Sequence, residues 1–306
     1  MLVVIALGGN ALLRRSDPMD AQVQRQNVEV AAAAIASVAH NHEVVVTHGS
    51  GPQVALLARQ CEPAGGTQAY PPHVPAAGNE GTIGYLIEQA LTSRLPKVQI
   101  ATLLTQVEVD AADPAFRNPT KPIGPLCNEA EAERLAKARG WKLSPENGGY
   151  RRLIASPEPR RIIELATIRM LLQAGALVIC AGGGGIPVVT TTGGGIQGVE
   201  AVIDKDLAAA LLALDLRARM LLLLTDVDTV YTDWTAPGGR ALRKVTPEEL
   251  RKYTFPAGTM GPKVEAACRF VQATGGSAGI GRLQDAAAIV AGTKGTIVRM
   301  KWPAPA

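Results

Sequence analysis

The chain has 306 residues, enough for one large domain or two lobes around a sizeable core. Lys and Arg exceed Asp and Glu by 31 to 27, scattered along the chain with only 4% aromatics, which argues against a nucleic-acid surface and fits a local positive site for a small anion. The cysteines at 61, 127, 180 and 268 form no CxxC pair, and no Cys or His recurs at metal-ligand spacing, so neither a disulfide framework nor a zinc site is favoured.

Residues Leu2–Leu7 form an apolar, mostly branched run with no basic segment before it, which reads as a buried first strand and not as a signal peptide. It runs into Gly8-Gly9-Asn10. A helix is expected over Gln22–Ala39, then a strand over Glu43–Thr47 that ends in His48-Gly49-Ser50-Gly51-Pro52. Further helices are expected from Val54 and over Gly84–Ser93, followed by a strand over Gln99–Leu104. Continuous apolar strands alternating with helices argue for a parallel sheet covered on both faces.

The stretch from Asp110 to Tyr150 breaks this rhythm with prolines at 114, 119, 122 and 125 and a charged helix around Glu129–Ala138. It reads either as a small protruding subdomain or as a long surface loop. The core pattern resumes with a helix over Arg160–Ala174 and a strand over Ala176–Ala181, closed by Gly182-Gly183-Gly184-Gly185. A helix over Ala201–Leu214 and a strand over Met220–Thr225 follow, with a lobe boundary near Asp215. Thr246 is the expected cap of a short helix that has Pro247 at its first position. A helix over Lys263–Thr274, another from Leu283 and a strand over Gly295–Val298 complete the order. No run reaches the length of a membrane span without a charge or a glycine cluster, and the expected location is the cytoplasm.

In open α/β sheets, ligands bind beyond the carboxyl ends of the strands. Three glycine turns fall at such ends: Gly8-Gly9-Asn10, Gly49-Ser50-Gly51 and Gly182–Gly185. Each can aim backbone N–H groups at an anion, and three together point to an anion site. The chain has neither a GxxxxGK[ST] loop nor a GxGxxG with a downstream acid after the first strand, which excludes a standard P-loop and weakens a dinucleotide site. Phosphoryl transfer needs chiefly positive charge and positioning at the travelling group. Lys205 lies between Asp204 and Asp206 near a helix start, where the helix dipole disfavours a cation unless carboxylates neutralise it. A solvent-facing cap cluster explains the same residues equally well. Lys263 follows the loop Gly258–Pro262 ahead of a helix, a place that also suits an ordinary surface lysine. Lys121 sits between prolines within the excursion, and Asp226 and Asp228 close a strand.

Taken together, ALGGNALL (6–13), HGSGPQV (48–54), NEGTIGYLIEQAL (79–91), LLTQVEVDAADPAF (103–116), TKPIGP (120–125), AGGGGIPV (181–188), VEAVIDKDLAAALLA (199–213), LLLLTDVDTVY (221–231) and GTMGPKVEAACRF (258–270) resemble the carbamate kinases of the amino acid kinase family, in order and over essentially the whole length. The resemblance implies a three-layer α/β/α sandwich with an open, mainly parallel sheet. It implies two lobes: residues 1–214 for carbamate or carbamoyl phosphate, with a protruding subdomain at about 111–155, and residues 215–306 for the nucleotide. The implied reaction is reversible transfer between ATP and carbamate, giving ADP and carbamoyl phosphate, in the catabolism of arginine or ureides. Mg²⁺ would be carried mainly by the nucleotide phosphates, with no protein metal site. The implied enzyme is a homodimer with no nucleic-acid or membrane partner.

Carried over by motif, Lys205 and Lys263 would neutralise the travelling phosphoryl group and Asp206 would hold them in place. Lys121 would reach the phosphate of carbamoyl phosphate, and Asn10, Gly8 and Gly9 would hydrogen-bond the phosphoryl group. Gly49, Ser50 and Gly51 would line the same pocket. Gly183, Gly184, Thr225, Asp226, Asp228, Tyr231, Met260 and Pro262 would surround the nucleotide. Asn10 together with Lys205 separates carbamate kinases from relatives that phosphorylate amino acid carboxylates and usually carry lysine in that turn. The chain departs from the family pattern at Ser50, where asparagine is usual, at Ala55, where glycine is usual, and in the tail SAGIGRLQDA (277–286), which lacks an acidic stretch. Other kinases of this fold, a non-catalytic nucleotide-binding protein and a dinucleotide-dependent oxidoreductase are the competing readings.

Overall fold

The computed structural model describes residues 1–12, 20–50, 70–146, 148–233, 239–256 and 258–302, without the side chains of residues 10, 11 and 125. Among the described residues, eight strands form one sheet: β1 (Leu2–Leu7), β2 (Glu43–His48), β3 (Ile100–Thr102), β4 (Leu177–Ile179), β5 (Met220–Thr225), β6 (Lys244–Val245), β7 (Ser277–Arg282) and β8 (Thr296–Val298). Their order is β6-β8-β7-β5-β1-β2-β4-β3, and every pairing is parallel except β7 with β8.

Alternation along the strands builds two cores, because successive side chains leave a strand on opposite faces. Val4 and Ala6 of β1 join Leu221 and Leu223 of β5 on one face. That face is covered by α4 (Leu165–Gln173), α5 (Lys205–Asp215) and α6 (Met260–Thr274). Val3, Ile5 and Leu7 join Leu222 and Leu224 on the other, under α1 (Ala21–Ala39), α2 (His73–Arg94) and α7 (Ala286–Val290). Each fully buried Val, Leu or Ile contributes about 1.5–3 kcal/mol, so the two-sided burial of β1 and β5 anchors the sheet. The expected three-layer sandwich with a mainly parallel sheet is therefore present.

The excursion has structure of its own. Lys121–Cys127, Gly149–Ile154 and Lys142–Glu146 form an antiparallel three-stranded sheet, in that order, beside α3 (Glu129–Arg139). Asn128 caps α3 by accepting from the Glu131 N–H at 2.9 Å, and Gly140 ends it in the left-handed conformation. A long loop is thus replaced by strands that satisfy their backbone groups on one another. A four-stranded sheet, in the order Ile196–Gly198, Ile186–Thr190, Gln106–Val109 and Pro159–Ile162, stands next to it in the chain.

Several helix starts differ from the sequence reading: the helix expected from Lys263 begins at Met260, and the one expected from Leu283 begins at Ala286 after a short 3-10 turn. The helix expected from Arg160 begins at Leu165, because Pro159–Ile162 pairs with Gln106–Val109 as a strand. The helix expected from Ala201 begins at Lys205, because the Asp204 side chain accepts from the Asp206 and Leu207 N–H groups and fixes the cap there. The helix expected over Gly84–Ser93 starts earlier, at His73. The helix expected from Val54 lies outside the described residues. Thr246 caps its helix as expected, in a reciprocal capping box with Glu249. Among the described residues no helix is long and apolar enough to cross a membrane.

Candidate active site

The carboxyl ends of β1, β2 and β5 lie side by side, which brings distant turns together. Gly8 continues β1 by donating its N–H to Leu224 O at 2.9 Å, and Gly49 continues β2 by donating to Leu7 O at 2.9 Å. A β-carbon at Gly49 would stand 2.6 Å from the Gly9 nitrogen, so the turns close on one another only because glycine has no side chain. The same position faces the Lys205 stem at 3.2 Å. Lys205 therefore passes over the two turns from the start of α5.

Asp206 is the hub of the charges. Its Oδ2 pairs with Lys205 Nζ at 2.9 Å, and both of its oxygens accept from Lys263 Nζ at 3.1 Å. Asp206 is 2% exposed and Lys263 5%, whereas Lys205 is partly open. Burial alone would raise the Asp206 carboxyl, but the ammonium groups of Lys205 and Lys263 outweigh it and hold the group below the usual carboxylate range. Burial, reinforced by repulsion from Lys205, pulls Lys263 down to about 8 in spite of Asp206. Burial acts against Lys205 too, yet Asp206 and Asp204 hold it above the usual lysine range. Two cations thus share one carboxylate, which leaves net positive charge for an anion.

The sequence placed Lys205 between two equivalent carboxylates, and the structure separates them. Asp206 takes Lys205 and Lys263. Asp204 caps α5 and pairs with Lys121 Nζ at 3.3 Å. Lys121 also donates to Ile203 O at 3.5 Å, so the first strand of the excursion lands at the start of α5. Burial lowers Lys121, and Asp204 partly offsets it. A second cross-link joins Arg152 of the excursion to Glu200. These contacts set aside a solvent-facing cap cluster at Asp206 and a surface position for Lys263.

A cavity of about 800 Å³ opens over this ensemble, in the range of small-molecule sites. Gly8, Gly9, Lys205, Lys263, Thr225, Asp226, Tyr231 and Met260 line it, so eight of the singled-out residues meet at one wall. The Tyr231 hydroxyl donates to the Asp228 carboxylate at 3.2 Å, which places Asp228 behind the wall. Pro262, Gly183 and Gly184 do not line the cavity. A β-carbon at Gly183 would stand 2.5 Å from Ser50 Oγ, and one at Gly184 would stand 2.5 Å from Ile203 O, on the side where Lys121 arrives. Gly51, Ala55 and the Asn10 side chain lie outside the described residues, as does Cys61. His48 is buried with Nδ1 3.1 Å from Gly49 O, and burial lowers it to about 4, so its imidazole is neutral near pH 7.

Sequence reasoning passed over Val227, Thr232, Asp233, Thr254, Phe255, Pro256 and Thr259, which with Gly258 complete the cavity wall. They carry no spacing signal, because loops after β5 and before α6 meet only in the folded chain. It also passed over Asp204 as the partner of Lys121, although an aspartate just ahead of an apolar helical run is a cap signature. Among the described residues, no group of three or more His, Cys, Asp and Glu is placed to hold a metal ion.

The amino acid kinase family model matches residues 1–280. A carbamate kinase of Rhizobium meliloti is 54% identical over 301 residues, covering 97% of this chain and 93% of that protein. A carbamate kinase of Haemophilus influenzae is 50% identical over 302 residues, covering 98% and 97%. Among solved structures, carbamate kinase from Giardia lamblia bound to AMP-PNP superposes with a TM-score of 0.91 at 40% identity, covering 97% of this chain and 98% of that one.

Proposed function

The chain belongs to the amino acid kinase family and, within it, to the carbamate kinases, and on that premise we propose how its residues carry out reversible phosphoryl transfer between ATP and carbamate. The observation that carries the reading is the pair Lys205 and Lys263 held on one buried carboxylate at the wall of the cavity, beside the Gly8-Gly9 turn. In the direction of ATP formation, a terminal phosphate oxygen of ADP attacks the phosphorus of carbamoyl phosphate. The bond from phosphorus to the bridging oxygen breaks, and carbamate leaves with that electron pair. The travelling group spreads its charge over its peripheral oxygens, so fixed cations and N–H donors supply most of what the protein contributes.

Lys205 and Lys263 would meet this charge, with Asp206 holding both ammonium groups. Gly8 and Gly9 would offer backbone N–H groups, and Asn10 its amide. Gly49, Ser50, Gly51 and Lys121 would hold the carbamoyl phosphate side. Thr225, Asp226, Tyr231 and Met260 would hold the nucleotide, with Asp228 supporting Tyr231. Residues 1–214 would then serve the small acid and residues 215–306 the nucleotide, with the excursion at 111–155 as the subdomain that delivers Lys121. Mg²⁺ would be carried mainly by the nucleotide phosphates, where it would supply further charge neutralisation. The family resemblance supports a homodimer working in the cytoplasm.

The test is ATP formation from ADP and carbamoyl phosphate with Mg²⁺, run beside phosphorylation of aspartate, glutamate, acetylglutamate and UMP. ATP from carbamoyl phosphate alone is the expected result. Activity confined to another acceptor would overturn the substrate and leave the phosphoryl-transfer chemistry standing. A pH dependence follows from Lys263. It carries its charge below about 8 and loses it as the pH rises through that value. Because kcat/KM reports the free enzyme, kcat/KM for carbamoyl phosphate is expected to fall on an alkaline limb with an apparent midpoint near 8, lost in one proton step. A flat profile up to the ordinary lysine range would remove Lys263 from the charged machinery.

A further inference from the structure

Glu80, on α2, is 1% exposed and has no part in the chemistry above. Its two carboxyl oxygens each accept a backbone N–H from a different strand end. Oε1 takes Gly182, just beyond β4, at 2.8 Å, and Oε2 takes Thr105, just beyond β3, at 3.2 Å. Since β3 and β4 are neighbours, one side chain ties their carboxyl ends together.

The tie is reinforced around Ala181, which sits at φ 51°, a left-handed conformation that an alanine adopts only when its surroundings hold it. The Ala181 N–H donates to Thr105 Oγ1 at 2.9 Å, and its carbonyl accepts from Thr47 Oγ1 at 2.9 Å. The turn beyond runs through positive φ at Gly183, Gly184 and Gly185. A β-carbon at Gly183 would meet Ser50 Oγ, and one at Gly184 would meet Ile203 O, which also accepts from Lys121, so the turn packs close to both. The turn is a wedge between the Ser50 turn and the Lys121–Asp204 pair, away from the nucleotide cavity.

We infer that Glu80 is a positioning residue for carbamoyl phosphate: by holding the Gly182 and Thr105 N–H groups it fixes the 181–185 turn against Ser50 and the Lys121–Asp204 pair. The assignment of this side to carbamoyl phosphate rests on the function proposed above. A carboxyl group suits the task because each oxygen offers a lone pair to an N–H, whether the group is ionised or not. Glutamine has one acceptor oxygen, and its amide nitrogen would confront the second N–H donor. A buried donor left without an acceptor loosens whatever it anchored.

The test compares Glu80→Gln with wild type in two measurements. KM for carbamoyl phosphate is expected to rise about tenfold, with KM for ADP changed less than about twofold, because the wedge faces one substrate only. Amide exchange at residues 105 and 181–184 is expected to accelerate in the folded variant. Thr105→Val, which removes the acceptor for Ala181 while keeping shape and Glu80, is expected to give the same split if Glu80→Gln fails to fold. Equal rises in both KM values, a loss of kcat with both KM values unchanged, or unaltered exchange would overturn the inference. Absence of carbamoyl phosphate turnover in wild type, with exchange accelerated in the variant, would overturn the substrate and leave Glu80 as the anchor of the turn.

Discussion

Lys205→Ala is expected to lower kcat by roughly 10²–10³-fold while KM for the nucleotide changes by no more than about threefold. The asymmetry follows from where the charge sits. Lys205 lies beside the meeting of the Gly8-Gly9 and Gly49 turns and lines the cavity together with Lys263. Under the proposed roles, a cation there would meet charge that develops during transfer, whereas the loops after β5 and before α6 would hold the rest of the nucleotide. Removing Lys205 leaves Asp206 paired with Lys263 through both oxygens, so no buried charge is stranded. Folding stability should therefore stay within about 1 kcal/mol of wild type. Steady-state kinetics with ADP and carbamoyl phosphate, run beside urea denaturation, separates the two effects. An unchanged kcat would sink the role given to Lys205.

Asp206→Asn should be damaging in both respects. The substitution keeps the shape and removes the one charge that two ammonium groups share. Breaking a buried ion pair by removing one partner typically costs about 3–5 kcal/mol. Here Lys263 has an escape, since burial and Lys205 already bring it to about 8 and a further fall lets it lose its proton at neutral pH. One pKa unit is about 1.4 kcal/mol, so the loss should fall near the lower end, about 3 kcal/mol. The same escape discharges Lys263, so activity near neutral pH should fall by about 10²-fold or more. Lowering the pH should recover part of it by restoring the Lys263 charge. A urea midpoint equal to that of wild type, or an activity loss that does not ease as the pH falls, would show that Asp206 is not the hub.

The strands were readable because their physics is local. Runs such as VVIAL at 3–7 and MLLLLT at 220–225 are too continuous for a one-sided sheet, and they lie between two helical layers. Pro159–Ile162 escaped because a four-residue strand with one buried isoleucine carries no period. Its partner at Gln106–Val109 lies far along the chain. The start of α5 was misplaced by four residues because apolar continuity ran back to Ala201. The decisive atom was an Asp204 oxygen aimed at two N–H groups.

By itself the sequence determined the three-layer sandwich, the glycine turns at the strand ends, and the cluster of residues that the family resemblance attaches to phosphoryl transfer. The alternation of strands and helices and the glycine turns follow from composition along short windows, where side-chain period and backbone freedom act over a few residues, whereas the three-layer sandwich and the residue cluster follow from the family resemblance. Only the tertiary structure decided which carboxylate serves which lysine, that Lys263 is buried and drawn down to about 8, and that Gly183 and Gly184 face Ser50 and Ile203 and not the cavity. It alone placed Glu80 between two strand ends. Pairing, burial and desolvation depend on distances between segments tens to hundreds of residues apart, and those distances are set when β1 takes its place between β2 and β5.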